Sequence, residues 1–115
     1  FIEKYGEYYQ SEHRVYSTEY MLGGTIDLLN DTYIDDIKTN ESMKKGNGYF
    51  KEPLKEIRNN NKNKAALQLS IYEFLLEVKR KKRILNWDGE EWTTIDLPNI
   101  DVTEIMQERL LEINI

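Results

Sequence analysis

Residues 65–78 (AALQLSIYEFLLEV) constrain the fold more than any other stretch of the chain. They combine good helix formers with apolar side chains on nearly every face, so most of the helix they form should be buried. Strand-like segments stand on both sides of it. Residues 12–16 suit a short strand, 20–29 (YMLGGTIDLL) a second one weakened at Gly23-Gly24, and 33–38 a third. Asn30-Asp31 between the last two reads as a two-residue hairpin turn. After the helix, ILNW and EWTTIDL flank Asp88-Gly89, a second hairpin signal, and Asp101 or Thr103 can cap a final helix near 102–112. Residues 1–10 read as a helix tail or an irregular lead-in. Residues 40–64 read as a polar loop with a helical turn around 53–59. The order of strands, loop, helix, strands and helix predicts an α+β fold.

The length of 115 residues fits one domain with a single modest core. No apolar run approaches the roughly 18 residues of a membrane span, and no signal-peptide pattern opens the chain, so a cytoplasmic protein is expected. Phe1 in place of an initiator methionine suggests a fragment or a processed chain. The absence of cysteine excludes disulfides and thiolate metal sites, and one histidine, His13, cannot build a zinc cluster alone. The net charge of −5 hides an asymmetry. Residues 44–83 hold 12 of the 16 basic residues and 4 of the 21 acidic ones, a net of +8, which leaves −13 elsewhere. A basic surface beside an acidic site suits a protein that handles a polyanion through metal ions, while the plainer reading is a solvated loop and helix end.

The acidic part centres on residues 32–39 (TYIDDIKT). Asp is disfavoured in strands, and charge close to a core is costly unless it is paired or bound to metal. With Asn30-Asp31 as the turn, opposed positions add up to 61 and Asp27 faces Ile34. Asp27 then shares a face with Asp36 and Lys38, while Asp35 and Ile37 point the other way. The diagonal from Asp27 to Asp36, roughly 7–8 Å between backbones, lets both carboxylates converge on one ion. Carboxylate, backbone carbonyl and water suit magnesium or manganese rather than zinc. A surface Asp/Lys pair on an exposed strand face is the alternative. Asp35, facing away, is expected to be replaceable.

Three segments resemble, in order, the motifs of a known family. Gly24-Thr25-Ile26-Asp27, Asp36-Ile37-Lys38-Thr39 and Gln68-Leu69-Ser70-Ile71-Tyr72 are similar to the GxxD, DxK-plus-Thr and QxxxY motifs of the PD-(D/E)XK nuclease superfamily, closest to its RecB-type and phage exonuclease branch. The resemblance covers residues 12–78. It implies a restriction-endonuclease-like sandwich, a central mixed sheet with flanking helices. It also implies a divalent-metal-dependent deoxyribonuclease, an exonuclease of DNA repair, recombination or phage replication. The alternative within the family is a catalytically inactive module for nucleic-acid binding or protein assembly. A third class is a structural domain that pairs through a strand edge.

The resemblance assigns roles residue by residue. Asp27 and Asp36, with the backbone carbonyl of Ile37, would bind Mg2+ or Mn2+, and Lys38 would position or activate the attacking water. Gln68 and Tyr72, one helical turn apart, would support the site and contact DNA. Glu12 is the best-placed upstream acidic ligand, with Glu19 as competitor. His13 falls in a predicted strand, whereas the histidine of RecB-type sites sits on a preceding helix. Lys44, Lys45, Lys62 and Lys64 of the loop, and Lys79 and Arg80 of the KRKKR run, would lie against phosphate backbones. Only ten or so residues precede the first strand, which leaves little room for the helix that opens the family core. A homo-oligomer or a larger repair complex is the expected assembly.

Overall fold

The computed structural model describes residues 10–39 and 45–113; the lead-in at 1–9 and Lys44 lie outside them. The fold is α+β, with a mixed five-stranded sheet and two helices. Strands β1 (Gln10–Ser17), β2 (Leu22–Leu29), β3 (Tyr33–Thr39), β6 (Lys81–Trp87) and β7 (Trp92–Asp96) form the sheet in the order β1-β2-β3-β6-β7. All neighbours are antiparallel except β3 and β6, which run parallel. Two short strands, β4 (Gly46–Tyr49) and β5 (Arg58–Asn60), form a separate antiparallel pair within the segment expected as loop. Helices α1 (Asn61–Leu76) and α2 (Thr103–Ile113) complete the chain. No helix among the described residues is long and apolar enough to cross a membrane.

The first hairpin turns one residue later than the sequence suggests. Asn30 takes the turn in hand: its Oδ1 accepts the N–H of Thr32 at 2.8 Å and of Tyr33 at 2.7 Å, while its own N–H donates to the Tyr33 carbonyl at 3.0 Å. The two turn residues are therefore Asp31 and Thr32. Opposed positions add up to 63, as in Leu28↔Asp35 and Leu29↔Ile34. Both 61 and 63 are odd, so the paired residues share faces as expected, with Asp35 turned away from Ile34; the pairing stops at Leu28↔Asp35, one step short of Asp27 and Asp36.

Helix α1 starts four residues before the expected 65. Asn60, in the asparagine run, caps it with Oδ1 accepting the Asn63 N–H at 2.8 Å. It also stops earlier, because Glu77 adopts a left-handed conformation at φ 57° and Val78 N–H closes back on the Glu73 carbonyl. KRKKR is thus not a helix end: Lys79 and Arg80 form a short connection and Lys81-Lys82-Arg83 open β6.

Helix α1 is buried on both sides. Leu69 packs with Val15, Ile26 and Ile34 of the sheet, joined by Leu29, Tyr72 and Leu75. Ala66, on the other side, packs with Ile100, Val102 and Met106, so the 97–102 connection and α2 cover the helix from outside. Burial on both sides is why its sequence lacks a polar stripe. At the far end, Asp88 Oδ1 accepts the N–H groups of Glu90 and Glu91, holding the β6–β7 hairpin with the Trp87 and Trp92 rings in tilted contact, 5.4 Å between centroids.

Candidate functional site

Strands β2 and β3 part just where the acidic residues begin. Their register pairs end at Leu28↔Asp35, and beyond it the Asp27 side chain does what a backbone carbonyl would do in a continued ladder. Its Oδ2 accepts the N–H of Ile37 at 2.8 Å. In an antiparallel pair a residue's N–H and C=O point to the same neighbouring strand, so the Ile37 carbonyl is turned to the side of Asp27. Asp36 and Lys38, two apart on β3, share one face, and Lys38 Nζ lies 3.3 Å from Asp36 Oδ2.

That contact leaves Asp36 unsatisfied. Oδ2 is buried and has no partner in full hydrogen-bond geometry; the lysine is near in charge but not aligned. Burial pushes the Asp36 carboxyl up from 3.8 to about 6, and the Asp27 carboxyl beside it adds to the rise by hydrogen bond and by like charge. The Lys38 ammonium opposes the shift without cancelling it. Two carboxylates against one ammonium leave an excess negative charge in a half-buried place, which a proton or a cation would relieve.

Helix α1 packs over the face of the sheet that carries Ile34 and, by alternation along β3, Asp36. It lies in the crossover between parallel β3 and β6, so it runs opposite to them, and its N-terminal half stands at the end of β3 that carries Lys38. Gln68 Nε2 donates to the Tyr72 hydroxyl at 3.0 Å. That hydroxyl and its ring press on Gly24 of β2 so closely that a Cβ there would overlap them. The glycine of the GTID segment is thus required by the tyrosine of the QLSIY segment, a contact that two separate motifs do not reveal.

The structure does not gather every expected ligand. Glu12 falls opposite Asp27 between the pairs Ser11↔Leu28 and His13↔Ile26, but its backbone is left-handed at φ 51° and its side chain is exposed. Glu19 is exposed and lines a separate cleft of about 700 Å³ with Tyr20, Glu73 and Asp101. His13 is half-buried in β1. Among the described residues no three His, Cys, Asp or Glu side chains are grouped to hold a metal. Two carboxylates do fit magnesium or manganese, since magnesium is commonly held by one or two carboxylates, several waters and substrate phosphate. The buried orphan oxygen of Asp36 and the raised carboxyl are the observations that make the fit.

No protein-family model, curated protein or solved structure matches this chain.

The basic residues divide into two groups. Lys62 and Lys64 lie in the first turn of α1 and Lys45, whose carbonyl accepts the Asn61 N–H at 2.9 Å, lies beside it, with Arg58 over the Tyr49 ring, at the Lys38 end of the sheet. The KRKKR run lies at the other end. Lys81 pairs with Tyr33, five residues or about 16 Å along β3 from Lys38. There Arg80 Nε donates to the Asn30 carbonyl at 2.8 Å, and its own N–H donates to Glu73 Oε2 at 2.6 Å. Lys82, 5% exposed, is bound to Glu73 at 3.0 Å and Asn99 at 2.8 Å. Arg83 grips Asp35 through two 2.9 Å contacts and stacks on Tyr33. Three of the five charges therefore hold the fold together, and only Lys79 and Lys81 are exposed. Asp35 faces away from the site as expected, but it is fully buried and its role is structural.

One polar residue of this region escaped the sequence reading. Asn86 of β6 stands in register with Lys38, and its Oδ1 is buried without a hydrogen-bond partner. The signal available was an amide inside ILNW, an otherwise apolar strand.

Proposed function

We propose that this chain is a divalent-cation-dependent deoxyribonuclease of the PD-(D/E)XK type, an exonuclease of DNA repair, recombination or phage replication. The observation that carries the reading is the convergence of Asp27, Asp36 and Lys38 where β2 and β3 part, with a buried carboxylate oxygen left unsatisfied. The Gln68–Tyr72 pair, seated on Gly24, supports it by bringing the third motif to the same end of the sheet. The mixed sheet with a helix in the β3–β6 crossover agrees with a restriction-endonuclease-like core.

Asp27, Asp36 and the Ile37 carbonyl would hold Mg2+ or Mn2+, which supplies polarisation of a phosphoryl oxygen and a lowered pKa for bound water. Asp27 is held in place by the Ile37 N–H through one of its two oxygens. Lys38 orients the attacking water and offsets charge that develops on the phosphate. Lys45, Arg58, Lys62 and Lys64 form the side along which a DNA backbone is drawn in by charge without reading its sequence.

The test is cleavage of end-labelled linear and closed-circular DNA with Mg2+, Mn2+ or EDTA, beside Lys38→Ala. Metal-dependent loss of the linear substrate alone, absent in the variant, is the expected result. Cutting of circles would make the enzyme an endonuclease. No cutting, despite thermal stabilisation by Mn2+, would reduce the chain to an inactive nuclease-fold module, and no effect of metal would refute the reading.

A further inference from the structure

Asn86 presents a problem that the fold does not solve. A buried side-chain oxygen with no hydrogen bond costs about 1–3 kcal/mol, and most such groups in proteins are paired. Among the described residues the buried side-chain atoms without a partner are Asp36 Oδ2, Asn59 Oδ1 and Asn86 Oδ1. Asn59 sits on β5, beside the start of α1. Asp36 and Asn86 flank the same lysine. Asp36 is two residues before Lys38 on one face of β3, and Asn86 is its register partner on the adjacent parallel strand. Neighbouring strands lie about 4.8 Å apart, within the swing of a four-carbon lysine stem.

Lys38 is poorly served by its present partner, 3.3 Å away and out of line. Once a divalent cation takes the oxygens of Asp36, that partner is lost, and the ammonium is repelled by the cation. It then needs an acceptor nearby that is not itself a ligand. We infer that Asn86 is a positioning residue whose side-chain oxygen accepts the Lys38 ammonium when a divalent cation occupies Asp36. This rests on the cation-dependent cleavage proposed above. A neutral amide suits that role, because it fixes one N–H and leaves the others free for water. It also adds no third carboxylate to compete for the metal or pull the lysine from the phosphate.

The test compares wild-type protein with Asn86→Leu, which keeps the branched shape and removes the acceptor, and with Asn86→Gln, which keeps a neutral amide acceptor. With 15N-labelled lysine, the Lys38 ammonium resonance, assigned by its loss in Lys38→Met, should shift and exchange more slowly with water on adding Mg2+. In Asn86→Leu that response should vanish, and Asn86→Gln should keep it. Cleavage by Asn86→Leu at saturating Mg2+ should lose about 10- to 100-fold in kcat with KM for DNA unchanged. Its melting temperature should stay level or rise, since an unsatisfied polar group is removed; a purely structural asparagine would lower it. An unchanged Mg2+ response in Asn86→Leu, or wild-type kcat, overturns the inference. If the wild-type protein cuts no DNA yet shows the Asn86-dependent Mg2+ response, the positioning role stands and the nuclease reading fails. If Asn86→Leu does not fold, Asn86→Gln decides: a Mg2+ response like wild type supports the inference, and its loss refutes it.

Discussion

The two ends of the β3–β6 pair carry the same kinds of residue and treat them in opposite ways. At the Tyr33 end, every buried charge has an opposite partner: Asp35 with Arg83, and Lys82 with Glu73 and Asn99. At the Lys38 end, two carboxylates face one ammonium, and two buried oxygens have no hydrogen bond. Adjacent aspartates, 35 and 36, therefore differ in kind. One is a closed structural ion pair, and the other is held in a state that folding alone would not select. A matched pair needs nothing further, whereas an unmatched group at a strand opening is where a ligand should first be sought.

The largest effect should come from the closed end. Asp35→Asn leaves the Arg83 guanidinium without its bidentate partner, and urea unfolding should show a loss of about 3–5 kcal/mol. Asp36→Asn should instead be neutral or stabilising at pH 8. An equal cost at both positions would erase the contrast between the ends.

At the open end, Lys38→Ala should lower metal-dependent cleavage by at least about 100-fold. Its stability should change by less than about 1 kcal/mol, because the ion pair it loses is partly exposed and misaligned. A variant that loses both equally would make Lys38 a structural residue.

Acidity separates the two ends as well. The Asp36 carboxyl, raised from 3.8 to about 6 in the folded protein, binds its proton more tightly when folded. Its contribution to stability is therefore full below about pH 4, declines as pH rises, and is lost above about pH 6. The gain from Asp36→Asn should appear only above pH 6. Mg2+ at a hundred times its dissociation constant should stabilise the protein by about 2.7 kcal/mol at pH 8 and much less at pH 5, where protons compete for the same oxygens. Melting curves across pH 4–8 with and without Mg2+ measure both.

Smaller effects follow. Gly24→Ala forces the Tyr72 ring off β2, with an expected cost of about 1–3 kcal/mol by urea unfolding and weaker DNA cleavage. Replacing Lys62 or Lys64 by Gln should each lower the salt dependence of DNA binding by about one unit of log slope, while Lys79→Gln, at the closed end, should leave it unchanged.

The Asn30 turn shows how far the sequence could be read. A two-residue loop was evident from Asn30-Asp31, yet which two residues it used depended on a side chain capturing two backbone N–H groups. Because the shift kept the parity of the pairing, the face shared by Asp36 and Lys38 was legible, while the parting of the strands at Asp27 was not. The KRKKR run shows the opposite case. Five consecutive positive charges look alike in sequence, and only the positions of Asp35, Glu73 and Asn30 in space separate the three that are bound from the two that are exposed.

Element types, the α+β class and the side-chain faces of the acidic strand follow from the order of residues alone, because periodicity and turn chemistry are local. Which charges are matched is a property of the folded chain. Pairing joins residues far apart in sequence, as Asp35 with Arg83 and Gly24 with Tyr72, and burial sets what a missing partner costs. Asn86 belongs to that second class: an amide in an apolar strand acquires meaning only from the lysine that the parallel pairing sets beside it.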